Sequence, residues 1–283
     1  GAALRAAIRA LQDAGVAEPR LDAQLLMAAI LGCERPDVIV RQNDALDPDA
    51  QARFKDLVAR RAAREPMSHI LGRREFWSLP FLVTADTLAP RPDSECLVAS
   101  VVDRMRADPP RRILDFGTGT GCLLLALLSE FPGGWGLGID RNPGAALVAR
   151  RNAVALGLDD RAAFLVGDWA SAISTDARFD LIVSNPPYIR QRDLAELPPE
   201  VRDHEPRLAL DGGADGLDAY RVLFPIMARL LTPGGLVALE FGLGQGSDVL
   251  ALAQAAGFTH MELHADLESR ERVIVAMAPM AFR

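Results

Sequence analysis

Cysteine is nearly absent from this chain: Cys33, Cys96 and Cys122 are the only three in 283 residues. They are too few and too scattered for a disulfide framework, and no paired spacing suggests a zinc site, so a reducing interior is expected. Long apolar runs are missing too. None approaches the roughly 20 residues that cross a bilayer, and no charged-then-apolar leader opens the sequence. These absences point to a soluble, cytoplasmic protein that binds no metal. Excess positive charge is also lacking. The formal net charge is -7, and Lys55 is the single lysine. Residues 1–75 hold 12 basic against 11 acidic side chains, and residues 76–283 hold 19 against 27, giving +1 and -8. Phosphate-neutralising proteins need a basic footprint, so nucleic acid is not expected as the direct substrate. No repeat or low-complexity tract occurs.

What is present divides the chain by hydrophobic period. Leu4, Ile8 and Leu11 recur at helical spacing until Gly15, LDAQLLMAAILG gives a second helix closed by Gly32, and a third begins at DPDA. There Asp47 can cap and Pro48 can occupy the first helical position, with Phe54, Leu57 and Val58 forming the apolar stripe. These helices predict a small bundle over residues 1–75. REFWSLPFLVT reads as two short strands around Ser78 to Pro80, followed by a proline-stiffened connection, so residues 76–92 are a hairpin and linker. From residue 93 to 283, strands and helices alternate: RRILDFG, WGLGID, AAFLVG, FDLIVS and GGLVALEFG predict a mostly parallel sheet covered on both faces. FTHMELHADL and RVIVAMAP have only a charged turn between them and read as an antiparallel pair. The fold class is α/β, with seven strands and a helical bundle in front.

The chemistry-bearing residues fall at successive strand ends. DFGTGTG, residues 115–121, is a glycine turn between a strand and a helix, where backbone N–H groups can approach a ligand. Such a turn is also an ordinary α/β connection. The next strand ends in Asp140, which can accept from ribose hydroxyls, and the third is followed by Asp168 and Trp169, suited to an adenine amino group and face. Local roles remain open: either aspartate can serve a cap or solvated turn, and Trp169 can be core. The fourth strand ends in NPPY, residues 185–188. Two prolines fix the backbone and leave the Pro186 carbonyl free of an N–H neighbour. The Asn185 side-chain oxygen and that carbonyl can accept both hydrogens of a planar –NH2 group, with Tyr188 against its flat face. That points to transfer onto an amide or aromatic amine nitrogen. Such a poor nucleophile gains from alignment and desolvation and needs no strong base if its proton leaves late.

EPRLDAQLLMAAILG, LGRREFWSLPF, LAPRPDSE, ILDFGTGTG, SNPPYI, EPRLALDGGADGLDAYR and RERVIV together span nearly the whole chain. In this combination the sequence resembles class I S-adenosylmethionine-dependent methyltransferases, and closely the family that methylates the glutamine amide in the GGQ motif of peptide chain release factors. The resemblance implies S-adenosylmethionine as cofactor, S-adenosylhomocysteine as product, and release factors as partners that the helical part helps to engage. It implies direct displacement, with the glutamine nitrogen attacking the sulfonium methyl. Asp115, Gly117, Gly119 and Gly121 would surround the methionine portion, with Phe116 and Thr118 in the same turn. Asp140, with Arg141 beside it, would hold the ribose, and Asp168 and Trp169 the adenine. Asn185, Pro186, Pro187 and Tyr188 would grip the glutamine amide, Asn185 also facing the cofactor, while Arg91 and Pro92 would close over the pocket. By its own chemistry Arg91 is equally a surface or salt-bridging residue, and Glu95 equally a first-turn helix acid. Three positions depart from the family pattern: Ala89 in place of Ile, Phe116 in place of Leu, and Ser-Arg-Glu at 269–271 in place of Gly-Arg-Asp. DGGADGLDAYR fits a loop without an evident chemical role. Methylation of an exocyclic amino group in DNA or RNA is the enzymatic alternative, and a cofactor-binding scaffold without turnover is the other.

Overall fold

A computed structural model describes residues 1–41, 44 and 46–278, which form two compact units. The first comprises Gly1–Arg73 together with Pro198–His204. Its helices are α1 (Ala2–Asp13), α2 (Pro19–Leu31), α3 (Arg35–Val40), α4 (Pro48–Ala62) and α5 (Met67–Leu71). Starts and stops follow the sequence. The Asp47 carboxylate accepts from the Ala50 N–H at 2.8 Å at the head of α4, and Gly32, at φ 60°, closes α2 in the left-handed region. The apolar stripes meet in one core containing Leu4, Leu11, Leu26, Phe54 and Val58. Periodicity does not reveal α3 and α5, because five or six residues are too few to show it. A capping box between Glu34 and Asp37 starts α3 instead.

The contribution of residues 198–204 to this unit is also invisible in sequence. It is held by charge. Arg61, nearly buried, donates to Asp22 at 2.7 Å and to Glu200 at 3.1 Å, and Arg64 reaches the same Glu200 at 2.7 Å.

The second unit, Arg74–Leu197 with Glu205–Arg283, begins with the hairpin of β1 (Arg73–Phe76) and β2 (Leu79–Leu82). Its turn is Trp77–Ser78, at φ 51° and 57°, and not the stretch from Ser78 to Pro80 expected above. Two positive φ values match the twist of a two-residue hairpin, and Pro80 sits within β2, tolerated because the ribbon has no further strand to donate to. Then follow α6 (Glu95–Met105), β3 (Arg112–Phe116), α7 (Cys122–Glu130), β4 (Trp135–Asp140), α8 (Pro143–Ala155), β5 (Ala162–Val166) and β6 (Phe179–Ser184). A single turn, α9 (Pro199–Arg202), lies in the segment of the helical unit. After it come α10 (Asp218–Leu230), β7 (Leu231–Glu240), α11 (Gly246–Ala255), β8 (Thr259–Ala265) and β9 (Glu271–Met277).

The seven strands run in the order β5-β4-β3-β6-β7-β9-β8. The first five are parallel, and β9 and β8 are antiparallel to their neighbours. Side chains alternate between faces with period two. Ile113, Leu181, Val183, Leu236 and Val273 pack on one face with residues of α6 and α7, and Leu114, Phe116, Ile182, Val237 and Ile274 pack on the other with α10 and α11. Both faces are therefore covered, as the near-continuous apolar runs require. Strand order reverses between β3 and β6, and ligands of open α/β sheets bind outside the carboxyl ends at such a point.

Candidate active site

Because β3 to β7 are parallel, the turns after them gather at one edge of the sheet. A cavity of about 670 Å³ opens there, lined by residues of the second unit alone. Its floor is the glycine turn after β3. Gly117 and Gly119 take φ 67° and 56°, which L side chains rarely adopt, and both line the cavity. The turn is held from β4: the N–H groups of Gly117 and Thr118 donate to the Ile139 carbonyl at 2.8 and 3.0 Å, and the Gly119 N–H donates to Asp140 Oδ2 at 2.9 Å. Asp140 Oδ1 accepts from the Asn142 N–H at 2.8 Å. Each carboxylate oxygen retains a second acceptor site, so Asp140 shapes the turn while still facing the cavity. Burial raises its pKa and those backbone donors oppose the shift.

Beneath the turn, Asp115 is buried. Its Oδ2 accepts from the Thr118 hydroxyl at 2.7 Å, while Oδ1, like the Thr120 hydroxyl, is buried without a partner among the described residues. Burial pushes this carboxyl up to about 7, the Thr118 hydroxyl opposing and the Asp140 charge adding. An acid whose folded pKa is raised contributes stability that is complete below the unfolded value and is lost as pH rises through the folded one. Here the window runs from 3.8 to about 7. Asp115→Asn keeps the acceptor for Thr118 and removes the titration. It is expected to gain about 2–3 kcal/mol on the wild type between roughly pH 5 and pH 8 in urea unfolding; a constant difference at both would contradict the shifted carboxyl.

Asp168 and Trp169, after β5, both line the cavity. Asp168 is exposed, and its N–H donates to the Ser171 hydroxyl at 3.1 Å, leaving its carboxylate uncommitted to that turn. Trp169 combines both roles left open by the sequence: it lines the cavity and sits edge-on to Phe116, ring centroids 6.2 Å apart. Arg141 lies on the lining as well. Arg91 likewise does two things. It borders the cavity and donates to the buried Glu205 at 3.3 Å, a carboxylate that also accepts from the Ala89 N–H at 3.3 Å. Burial raises the Glu205 pKa and Arg91 opposes it.

Not every expected site residue reaches the cavity. Phe116 is fully buried in the sheet core. Gly121, at φ 80°, starts α7, where a Cβ would come 3.2 Å from Ala149 Cβ and from Leu125 Cδ1; its bareness serves helix packing. Pro92 is exposed at the head of α6, Pro186 is buried, and neither these nor Asp115 is on the lining. Glu95 is the helix acid of the two alternatives, accepting from the Trp77 N–H at 2.9 Å and so tying the hairpin to α6.

Of the NPPY corner, Asn185 and Pro187 line the cavity. Tyr188 does not; it packs against the core, and its hydroxyl donates to Glu240 Oε1 at 3.2 Å. Placing its ring on the face of a substrate amide is therefore not what this arrangement shows. Glu240 ends β7 at 1% exposure and also accepts from the Ser94 hydroxyl at 2.5 Å, while Asn185 Nδ2 donates to Ser94 Oγ at 3.2 Å. Burial raises the Glu240 pKa, with the Ser94 and Tyr188 hydroxyls and the nearby Arg272 holding it down. Burial and the Glu240 charge keep Tyr188 protonated.

The loop DGGADG now has a physical role. The Gly212 N–H donates to the Ile189 carbonyl at 2.8 Å, and Gln245 Nε2 donates to the Tyr188 carbonyl at 3.0 Å and the Gly216 carbonyl at 3.3 Å. A Cβ on Gly212 would lie 2.8 Å from Tyr188 Cα, so only glycine lets this loop clasp the corner. Sequence reasoning missed Ser94, Glu240 and Gln245. Ser94 lies within the APRPDSE motif, but nothing local marks the other two.

The chain matches the family described as PrmC N-terminal domain over residues 2–72 and that described as Methyltransferase small domain over residues 94–197. It is 49% identical over 266 residues to a release factor glutamine methyltransferase of Rhodospirillum rubrum, covering 94% of this chain and 81% of the relative. With the protein of the same name from Caulobacter vibrioides it shares 45% over 267 residues, covering 94% and 92%. Among solved structures, the hMettl16 catalytic domain in complex with MAT2A 3'UTR hairpin 1 superposes with a TM-score of 0.59 at 16% identity, covering 81% of this chain and 85% of that one. The last likeness speaks for the methyltransferase fold only. Identity near one residue in two along almost the whole of both chains speaks for descent, and the protein belongs to the release factor glutamine methyltransferase family.

Proposed function

We propose that this protein transfers a methyl group from S-adenosylmethionine to the side-chain amide nitrogen of the glutamine in the GGQ motif of peptide chain release factors. The observation that carries the reading is the meeting, in one cavity, of Gly117, Gly119, Asp140, Asp168 and Trp169 with Asn185. The volume suits a nucleoside joined to an amino acid, and the unpartnered Asp115 Oδ1 and Thr120 hydroxyl lie at the turn such a group would cover. S-adenosylmethionine, when bound, supplies a methyl on a positively charged sulfur. Asp140 offers acceptors to ribose hydroxyls, Asp168 accepts from the adenine amino group, and Trp169 provides an apolar face. The backbone of Gly117 and Gly119 admits close approach, and Arg141 and Arg91 also line the cavity.

On the acceptor side, Asn185 Oδ1 receives an amide hydrogen, with Pro187 beside it on the lining stiffening the corner; the Pro186 carbonyl, expected from the sequence to take the other, belongs to a residue off the lining. This orients the nitrogen lone pair and excludes water from it, which is where an amide nucleophile needs help. Tyr188 anchors the corner from behind through Glu240. The helical stretch 1–75, whose last residues already open the hairpin, is assigned with residues 198–204 to recognising the release factor, 76–92 to the rest of the hairpin and the linker, and the remainder of 93–283 to catalysis. Among the described residues no helix is long and apolar enough to cross a membrane, and the cytoplasm, where release factors work, is the proposed compartment.

Isotope-labelled methyl donor incubated with the protein and a purified release factor should label the native factor and not one whose GGQ glutamine is alanine. Label on neither would refute the acceptor, and label on both would move the target elsewhere on the factor.

A further inference from the structure

Four side chains, two of the acceptor corner and two behind it, form a directed chain of hydrogen bonds. Glu240 accepts from the Ser94 hydroxyl at 2.5 Å and from the Tyr188 hydroxyl at 3.2 Å, and Ser94 Oγ accepts from Asn185 Nδ2 at 3.2 Å. A serine hydroxyl has one proton. Here it goes to the carboxylate, so Ser94 offers Asn185 only lone pairs. The carboxamide must then present its –NH2 to Ser94 and its carbonyl oxygen away from it, on the side where Asn185 lines the cavity. No described protein group donates to that oxygen.

We propose that Glu240, acting through Ser94, is a positioning residue that sets the direction of the Asn185 carboxamide and thereby makes the acceptor site a pure hydrogen-bond acceptor. The proposal rests on reading Asn185 as the group that holds the glutamine amide. Its consequence is selectivity for –NH2. A glutamate carboxylate in the same place would meet the Asn185 oxygen with no hydrogen to give, and a site built to pair a donor discriminates strongly against a partner lacking it. Ser94 is itself held from the far side: the adjacent Asp93 accepts from Arg270 at 3.2 Å and from Arg272 at 3.3 Å, fastening the head of α6 to β9 and the turn before it. The charges of Arg272 and Asp93 also act on Glu240, with opposite effects on its ionisation.

The test is a double-mutant cycle on methyl transfer to release factor with Ser94→Ala, Asn185→Ala and the pair. Ser94→Ala is expected to lower kcat about tenfold or more, with cofactor affinity and KM for the factor within about twofold, and to cost nothing further once Asn185 is alanine. Glu240→Leu, which has no oxygen to take the Ser94 proton, should reproduce this pattern and serves in place of Ser94→Ala should that variant melt early. An unchanged kcat, or an equal loss with and without Asn185, overturns the relay. The two levels of failure separate cleanly. A wild type that labels release factor beside a fully active Ser94→Ala refutes the relay alone, whereas a wild type that leaves release factor unlabelled refutes the functional reading and the relay with it.

Discussion

Asn185→Ala should lower methyl transfer to release factor by roughly 10²–10³-fold, the cost typical of removing one preorganised polar group from a reacting centre. The loss belongs in kcat. Asn185 lines the cavity and its Nδ2 is spent on Ser94, so its oxygen is left to act on the acceptor, whereas Asp140, Asp168 and Trp169 supply separate contacts for a nucleoside. Cofactor affinity, read by calorimetry, is therefore expected to stay within about threefold of wild type. Equal loss of transfer and of cofactor affinity would mean that Asn185 serves the cofactor site alone and that the amide grip is misassigned.

Gly216→Ala is expected to do comparable damage from outside the cavity. Gly216 sits at φ 80°, and a methyl group there would run into the Tyr188 carbonyl oxygen and lie 2.5 Å from Gln245 Nε2. Strain at such a φ costs of order 1–3 kcal/mol, and the clash is with backbone, which cannot swing aside. The relief available is to push Tyr188, and with it the NPPY corner. A shift near 1 Å at a reacting group costs about 10²-fold in rate. The expected result is a lower urea midpoint together with a transfer rate reduced by about that factor. Gly133→Ala is the control, since a Cβ there meets nothing within 4 Å. A Gly216→Ala protein that transfers methyl at the wild-type rate would show that the DGGADG loop does not position the corner.

Both variants concern residues of different legibility. Asn185 could be singled out from four letters, because an amide between a buried strand and two prolines has a local chemical meaning. Gly216 could not. Its glycine is required by the carbonyl of Tyr188 and the side chain of Gln245, which are distant in the chain and adjacent in space. The same contrast runs through the hairpin: that REFWSLPFLVT folds back on itself follows from its pattern, but the turn falls at Trp77–Ser78 because the twist of the ribbon favours two positive φ values there. Asp140 illustrates a residue read correctly as to place and incompletely as to work, since its carboxylate also fastens the Gly119 N–H.

The sequence by itself determined the period of the strands and of helices such as α1, α2, α4 and α8, though not of α10, whose first turn lies in the stretch DGGADGLDAYR read as a loop. It also determined the order of the strands' chemistry along one sheet edge and the glycine and proline corners, because these depend on residues a few positions apart. Tertiary structure alone decided what stands behind them. Ser94 and Glu240 are 146 residues apart, Asn185 and Ser94 are 91, and Arg64 and Glu200 are 136. No local preference selects such partners. They meet because a parallel sheet brings the ends of β6 and β7 side by side near the head of α6, and because residues 198–204 join the helical unit. Burial there leaves each polar group to find a hydrogen-bonding partner or to have its charge suppressed.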